Sequence, residues 1–182
     1  KESQYAVGGL MKHAEALTAI TCSTVNSYNG LVPRVGGFEG GTVTWAPTNI
    51  TYGHNNRSAQ FRLPQNRYCI ENRAADMTMN VYLALAMTSS SALEGIKNKI
   101  DPGKATDRDL YQMTEDEFKK LGIRRLPKNL LQAIEALKND KLADEVLGSV
   151  MKKSFLSYKN DEWERYHQAV TDWEVKEYLR LY

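Results

Sequence analysis

The chain has 182 residues, 42% hydrophobic and 25% charged, which is typical of a soluble globular domain long enough to bury a sizeable core. Its formal net charge is +2 and its acidic and basic residues are interspersed, which argues against a nucleic-acid-binding protein with clustered basic residues. The sequence contains no apolar run of about 18 residues and no signal-peptide pattern, so it predicts neither a membrane span nor a secretion signal.

The N-terminal twenty residues predict a helix, because Leu10, Ala14, Leu17 and Ile20 follow the helical period. The Gly8-Gly9 pair weakens the start of this helix and permits close approach to its backbone. From Thr21 to Gly41 the composition changes to Asn, Ser, Gly and Pro, which predicts a long loop. Such a loop is either a binding loop or lid, or a disordered connector.

Three runs that follow are typical of β-strands: Thr42–Ala46, Ser58–Leu63 and Tyr68–Arg73. Alternation along the second run places Gln60 and Arg62 on one face and its apolar residues on the other. In the third run Glu71 and Arg73 share a face, and Arg57 precedes the second run. Strand geometry therefore allows Arg57, Arg62, Glu71 and Arg73 to converge, although it does not require it.

The remainder of the chain predicts mostly helices, so the fold class is α+β. Asn80 is a candidate N-cap for a helix over residues 80–96, and Thr114 begins a capping box. A further helix is expected from Leu126 through Leu137. In residues 161–181 four apolar side chains recur at helical spacing: Trp163, Tyr166, Val170 and Trp173. We interpret this stripe as core or subunit packing.

Three arginines and one carboxylate lie around a single turn, within residues 55–64 and 70–73. The guanidinium group is a permanently charged fork of donors that suits phosphate and carboxylate oxygens. A carboxylate among arginines stays ionised and can ligate a divalent metal. From the residue types alone, this region is either an anion-binding site that also holds metal or a surface salt-bridge network.

Six motifs in the same order resemble the C-terminal half of the catalytic domain of glutamine synthetases. They are residues 8–14, 24–28, 56–64, 71–82, 95–103 and 110–111. The resemblance covers nearly the whole chain. It implies an α+β catalytic domain with an antiparallel sheet on which helices pack, of which residues 1–182 are the C-terminal portion.

The resemblance implies an ATP-dependent ligase that forms an amide from glutamate and ammonia, or another small amine, through a γ-glutamyl phosphate. It also implies Mg²⁺ or Mn²⁺ as cofactor, a homo-oligomeric ring for the full-length protein, and neither nucleic acid nor a membrane as partner. A cytoplasmic location agrees with Cys22 and Cys69, which lie in no metal-ligand spacing and which we expect to be free thiols.

The resemblance also implies roles for individual residues. Arg57 and Arg62 face the ATP phosphates and the transferring phosphoryl group, and Arg57 is also a catalytic residue. His13 and Glu71 are metal ligands, although a lone helical histidine is more often an ordinary polar residue. The substrate-binding residues are Gly9, Arg73 and Arg34.

Two further residues match loop positions of the family pattern. Glu39 corresponds to the flap glutamate that closes the site and helps to deprotonate the amine. Tyr111 matches a loop tyrosine that some bacterial members adenylylate, or it is an ordinary tyrosine.

The sequence departs from the family pattern where specificity is decided. The family usually has lysine-arginine at the position of Asn29-Gly30, and Arg34 is the candidate replacement for that arginine. The amine therefore stays open, and the C-terminal region is closer to the branch that contains γ-glutamylmethylamide synthetase. A non-catalytic relative is the remaining alternative.

The upstream metal-ligand strands and the N-terminal β-grasp domain of the family are absent from these 182 residues, and the chain begins at Lys1 rather than at methionine. We therefore expect a fragment of a longer protein that is inactive by itself.

Overall fold

The structure, a computed structural model, describes residues 1–32, 46–179 and 181. The predicted α+β class is confirmed. The elements in chain order are α1 (Glu2–Lys12), α2 (Ala14–Thr21), a 3₁₀ helix (Val25–Leu31), β1 (Asn49–Gly53), β2 (Ala59–Arg62), β3 (Glu71–Asn72), α3 (Val81–Asn98), a second 3₁₀ helix (Leu110–Gln112), α4 (Glu115–Leu121), β4 (Arg124–Arg125), α5 (Leu130–Asn139), α6 (Lys141–Gln168) and α7 (Asp172–Tyr178).

The four strands form one sheet in the order β3-β2-β1-β4. β1 and β2 are parallel, whereas the other two pairs are antiparallel, so the sheet is mixed rather than purely antiparallel. The predicted second strand is confirmed over Ala59–Arg62, and the third shortens to Glu71–Asn72. The predicted strand over residues 42–46 lies outside the described residues except for Ala46, which is not in a strand.

The sequence did not predict β1, and its burial explains why. All five of its residues are buried, so both faces are covered and the alternation that marks a half-exposed strand is missing. The core lies between this sheet and the helices, where α1 crosses α3 and α2 packs on α5. Its largest fully buried apolar side chains include Leu17, Ile20, Phe61, Met87, Leu130, Ile134 and Leu137.

The helix starts follow local capping signals. The Asn80 side chain accepts hydrogen bonds from the backbone of Tyr82 and Leu83, and the Thr114 capping box is present. The helix expected from Leu126 begins later, because Asn129 is its N-cap. No helix within the described residues has the length and apolar character needed to cross a membrane.

The C-terminal aromatic stripe is not a core stripe within this chain. Trp163 packs partly buried against the core, but Tyr166, Val170 and Trp173 are exposed. Helix α6 ends at Gln168, and α7 begins after a separate capping box, so the single helix predicted over residues 161–181 is two. Subunit packing stays a prediction.

Gly148 lies inside α6 with φ 69° and ψ 165°, a conformation that is essentially restricted to glycine. A Cβ there would meet no atom within 4 Å, so an alanine would be penalised by backbone strain alone. We expect Gly148→Ala to lower the free energy of unfolding by about 1–3 kcal/mol, measured by thermal denaturation. Ser149→Ala, at the next position, is the control, and equal melting temperatures for the two variants would contradict the prediction.

Candidate anion-binding site

The centre of the site is an ion pair between neighbouring strands. Arg62 on β2 lies opposite Glu71 on β3, and its Nη1 donates to Glu71 Oε2 at 3.3 Å. Arg67, in the connection between the strands, donates to the other carboxylate oxygen. Partial burial acts to raise the pKa of Glu71, but the hydrogen bonds from Arg67 and Arg62 outweigh it and lower the pKa. Glu71 is therefore an ionised carboxylate that two arginines hold in place.

Arg73 and Arg57 extend this cluster. The Nε of Arg73 donates to the backbone oxygen of Arg57 at 3.1 Å. Burial lowers the pKa of Arg73; the negative charge of Glu71 opposes this, and the positive charges of Arg57 and Arg62 lower the pKa further. The four residues thus converge, as strand geometry allows. Three arginines with one carboxylate leave a net positive charge, which suits an anion.

Asn56 holds the turn that contains Arg57. Its buried side chain donates to the backbone oxygens of Thr106 and Arg108, each at 2.7 Å. Its Oδ1 accepts from the backbone and the hydroxyl of Ser58. The turn before β2 is therefore fastened to the segment around residue 107. Sequence reasoning missed this role because the partners are 50 and 52 residues away along the chain.

Two open grooves lie beside the arginines. One, of about 610 Å³, lies along the connection that carries Arg67 and has mostly apolar walls. The other, of about 370 Å³, lies around Arg57 and is lined by polar and charged residues. The first is lined by Ser3, Leu63, Pro64, Gln65, Asn66, Arg67, Tyr68, Cys69 and Ile70. Both adjoin residues that the resemblance assigns to ATP.

His13 lies elsewhere, in the break between α1 and α2, and is buried. Its Nδ1 pairs with Asp140 Oδ2 at 2.6 Å, and its Nε2 pairs with Glu94, which also accepts from Lys12. Burial acts to lower the pKa of His13, but its two carboxylate partners outweigh burial and raise the pKa. Both ring nitrogens are therefore engaged, as donors, when the imidazole is protonated.

The two predicted metal ligands, His13 and Glu71, are held in networks that share no residue. In the described part of the chain, no three His, Cys, Asp or Glu residues are grouped so that they could hold a metal ion. His13 and Glu71 by themselves do not complete a metal site among the described residues, and two arginines share the Glu71 carboxylate. The metal-binding roles of both residues stay predictions.

We expect His13→Gln to lower the free energy of unfolding by about 2–4 kcal/mol, because two partly buried carboxylates lose their shared cation. The pKa of His13 is raised in the folded state, so its contribution is complete below its ordinary pKa and is lost as the pH rises through the raised pKa. The variant's deficit in thermal denaturation should therefore be larger near about pH 6 than near about pH 9.

The control is His54→Gln, because the His54–Asp107 pair is 41% and 46% exposed and should contribute about 0–1 kcal/mol. A deficit for His13→Gln that appears only when Mg²⁺ is present would contradict the ion-pair explanation and favour metal ligation.

The other predicted site residues have different surroundings. Gly9 is buried where α1 crosses α3, and a Cβ on it would lie 2.0 Å from the backbone oxygen of Ser91. The element that approaches its backbone is thus α3, and contact with substrate stays a prediction. Arg34 and Glu39 lie outside the described residues.

Tyr111 is half-buried, and its hydroxyl donates to the backbone oxygen of Ala46. Burial and the nearby charge of Asp109 raise its pKa. Adenylylation of Tyr111 stays a prediction. The two cysteines are free thiols, as expected, with Cys22 buried and Cys69 exposed.

The fold and the site together define a class: an α+β domain in which arginines surround a carboxylate on two neighbouring strands. The chain belongs to the glutamine synthetase family, since residues 1–178 match the family described as the catalytic domain of glutamine synthetase. The resemblance read from the motifs is therefore confirmed.

The chain is similar to relatives with two different names, glutamine synthetase and glutamate–methylamine ligase. A glutamine synthetase of Archaeoglobus fulgidus is 40% identical over an alignment that covers 100% of this chain and 36% of the relative. A glutamate–methylamine ligase of Methyloversatilis universalis is 41% identical, with 100% of this chain and 40% of the relative covered. The chain thus spans about two fifths of the length of these relatives.

Solved structures agree with this assignment. A GmaS/ADP complex superposes with a TM-score of 0.81 at 35% identity, covering 98% of this chain and 40% of that one. A GmaS structure without ligand gives a TM-score of 0.77 at 34% identity, covering 98% of this chain and 38% of that one.

Proposed function

We propose that these residues form part of an ATP-dependent ligase that joins ammonia to the γ-carboxylate of glutamate. In the first step an oxygen of that carboxylate attacks the γ-phosphorus of ATP, and the bond to ADP breaks. In the second step the amine nitrogen attacks the carbonyl carbon of the γ-glutamyl phosphate, and phosphate leaves. The observation that carries the proposal is the arginine cluster around Glu71 in a chain of this family.

The cluster suits phosphoryl transfer, which depends mainly on positioning and on neutralising oxygen charge. We assign Arg57 and Arg62 to the ATP phosphates and the transferring phosphoryl group, and Arg73 to the phosphoryl or carboxylate end of the substrate. Arg34 and Gly9 complete the proposed substrate contacts. Glu39 is the proposed acceptor of the amine proton.

Mg²⁺ or Mn²⁺ belongs to this proposal as the ion that balances the phosphate charge. Glu71 is the proposed ligand from the cluster, with His13 as the second residue that the resemblance assigns. The described residues form no metal cluster, and we propose that the remaining ligands come from outside them.

We further propose that residues 1–182 are the C-terminal portion of the catalytic domain and are inactive alone. The full-length protein is proposed to form a homo-oligomeric ring in the cytoplasm, with no nucleic-acid or membrane partner. Coupled ADP release by the isolated 182 residues would overturn the proposed inactivity.

Methylamine is the second candidate amine. The similarity to a glutamate–methylamine ligase and to GmaS structures supports it, as does Asn29-Gly30 in place of the usual lysine-arginine. A non-catalytic relative has less support, because a structural role would not need His13 and Glu71, the two residues assigned as metal ligands, together with the arginines around Glu71.

The test is ADP release by the full-length protein with ATP, Mg²⁺ and glutamate, comparing ammonia with methylamine. Release with ammonia supports glutamine synthesis, and release only with methylamine moves the assignment to the methylamide branch. Release with neither amine contradicts both assignments and favours a non-catalytic relative or another acid.

A further inference from the structure

Gln60 on β2 has a buried amide without partners. Its exposed fraction is 0%, and among the described residues neither its Oε1 nor its Nε2 has a hydrogen-bond partner. Buried polar side-chain atoms are nearly always paired, because an unpaired one loses its hydration without compensation. An apolar side chain of similar size would carry no such penalty, so packing alone does not account for a glutamine at this position.

The register of the sheet places Gln60 on the same face as the anion-binding cluster. Phe61 lies opposite Asn72 and Arg62 opposite Glu71, so the next pair is Gln60 opposite Arg73. The backbone N–H of Arg73 donates to the backbone oxygen of Gln60 at 2.8 Å, in agreement with this register. Opposite residues share a face, and so do residues two apart along one strand.

A second buried donor on this face is also unpaired. Within the described part of the chain, the Nε of Arg62 has no hydrogen-bond partner, although its Nη1 binds Glu71. Gln60 and Arg62 are two positions apart on β2, which separates them by roughly 7 Å. Unpaired donors therefore lie at two neighbouring positions of a face that has a net positive charge.

We propose that Gln60 is a substrate-binding residue whose Nε2 donates to an anionic oxygen held on this face by Arg62 and Arg73. The oxygen belongs to a phosphoryl or a carboxylate group, and its identity rests on the proposed function. The neutral amide adds a donor without adding another positive charge among the arginines. Its Oε1 accepts from an N–H or O–H of the same substrate or of an adjacent water.

The test compares Gln60→Met with the wild type in the full-length protein, measuring thermal unfolding and steady-state kinetics. The melting temperature should stay the same or rise, because two unpaired polar atoms are removed. The KM for ATP or for glutamate should rise roughly 10- to 100-fold, the usual effect of losing one hydrogen bond to a charged group. A higher KM for ATP identifies a phosphoryl oxygen, and a higher KM for glutamate identifies a carboxylate oxygen.

Gln168→Met, at an exposed position, is the control and should change neither KM. Kinetic constants within twofold of wild type for Gln60→Met would overturn the proposal and assign the amide to a structural water. If the wild type shows no turnover, the proposed function fails separately. Gln60 is then tested by the thermal shift that MgATP or glutamate produces. A shift that is lost in Gln60→Met supports the proposal, and equal shifts, including none in either protein, overturn it.

Discussion

Replacing Arg62 with alanine should lower kcat for ADP release about 100- to 1000-fold in the full-length protein. A single arginine that meets the transferring phosphoryl group typically contributes 10³–10⁵ in rate, and the other arginines of the cluster keep part of that effect. Arg62→Lys should recover only part of the activity, because lysine keeps the charge but not the planar fork that reaches two oxygens at once. The measurement is steady-state ADP release at saturating ATP and glutamate.

Loss of stability would not explain such a result. The Arg62–Glu71 pair is only 25% and 22% exposed, but Glu71 keeps Arg67 as its second partner when Arg62 is replaced, so no carboxylate is left without a cation. The melting temperature should therefore change little while kcat falls. Arg165→Ala is the matched control, because it removes another arginine–carboxylate pair, with Asp161, on the exposed surface of α6. A loss of less than about fivefold for Arg62→Ala would exclude Arg62 from the phosphoryl site.

Local signals explain which parts of the fold the sequence could predict. Asn80 and Thr114 begin helices through hydrogen bonds to residues two or three positions away, so both starts were visible in the sequence. β1 has no such signal, since burial of all five residues depends on the packing of distant elements. The break between α6 and α7 was missed because the helical spacing of the aromatic residues continues across the break.

The candidate site also contains a part that local sequence predicts and a part that depends on distant residues. Arg57, Arg62, Glu71 and Arg73 were predictable as a group, because two short strands and a turn contain all four. The contacts of His13 were not predictable, because its partners Glu94 and Asp140 lie 81 and 127 residues further along the chain. A motif can assign a residue type to a position, but the partners of a buried group depend on the three-dimensional packing.

The crossing of α1 and α3 depends on backbone contact between glycines. A Cβ on Gly95 would lie 2.1 Å from the backbone oxygen of Tyr5 and 2.6 Å from the backbone nitrogen of Gly9. Gly8 has the same constraint, with a Cβ 2.1 Å from the backbone oxygen of Ile100. These neighbours are main-chain atoms of helices or of a helix end, so a side-chain rotation cannot relieve the overlap. Any side chain at Gly95 must push the two helices apart.

Gly95→Ala should therefore lower the free energy of unfolding by about 3 kcal/mol or more, at or above the upper end of the usual effect of overpacking a core. The expected fall in melting temperature is on the order of 10 °C, or the variant fails to accumulate as soluble protein. Gly30→Ala is the control, because a Cβ there meets no atom within 4 Å and should change the melting temperature little. A melting temperature for Gly95→Ala equal to that of Gly30→Ala would show that α1 and α3 are not in backbone contact.

Since α1 ends at the break occupied by His13 and α3 carries Glu94, the Gly95 variant should also weaken the His13–Glu94 pair. The stabilising effect of lowering the pH that we expect from His13 should then be smaller in Gly95→Ala than in the wild type.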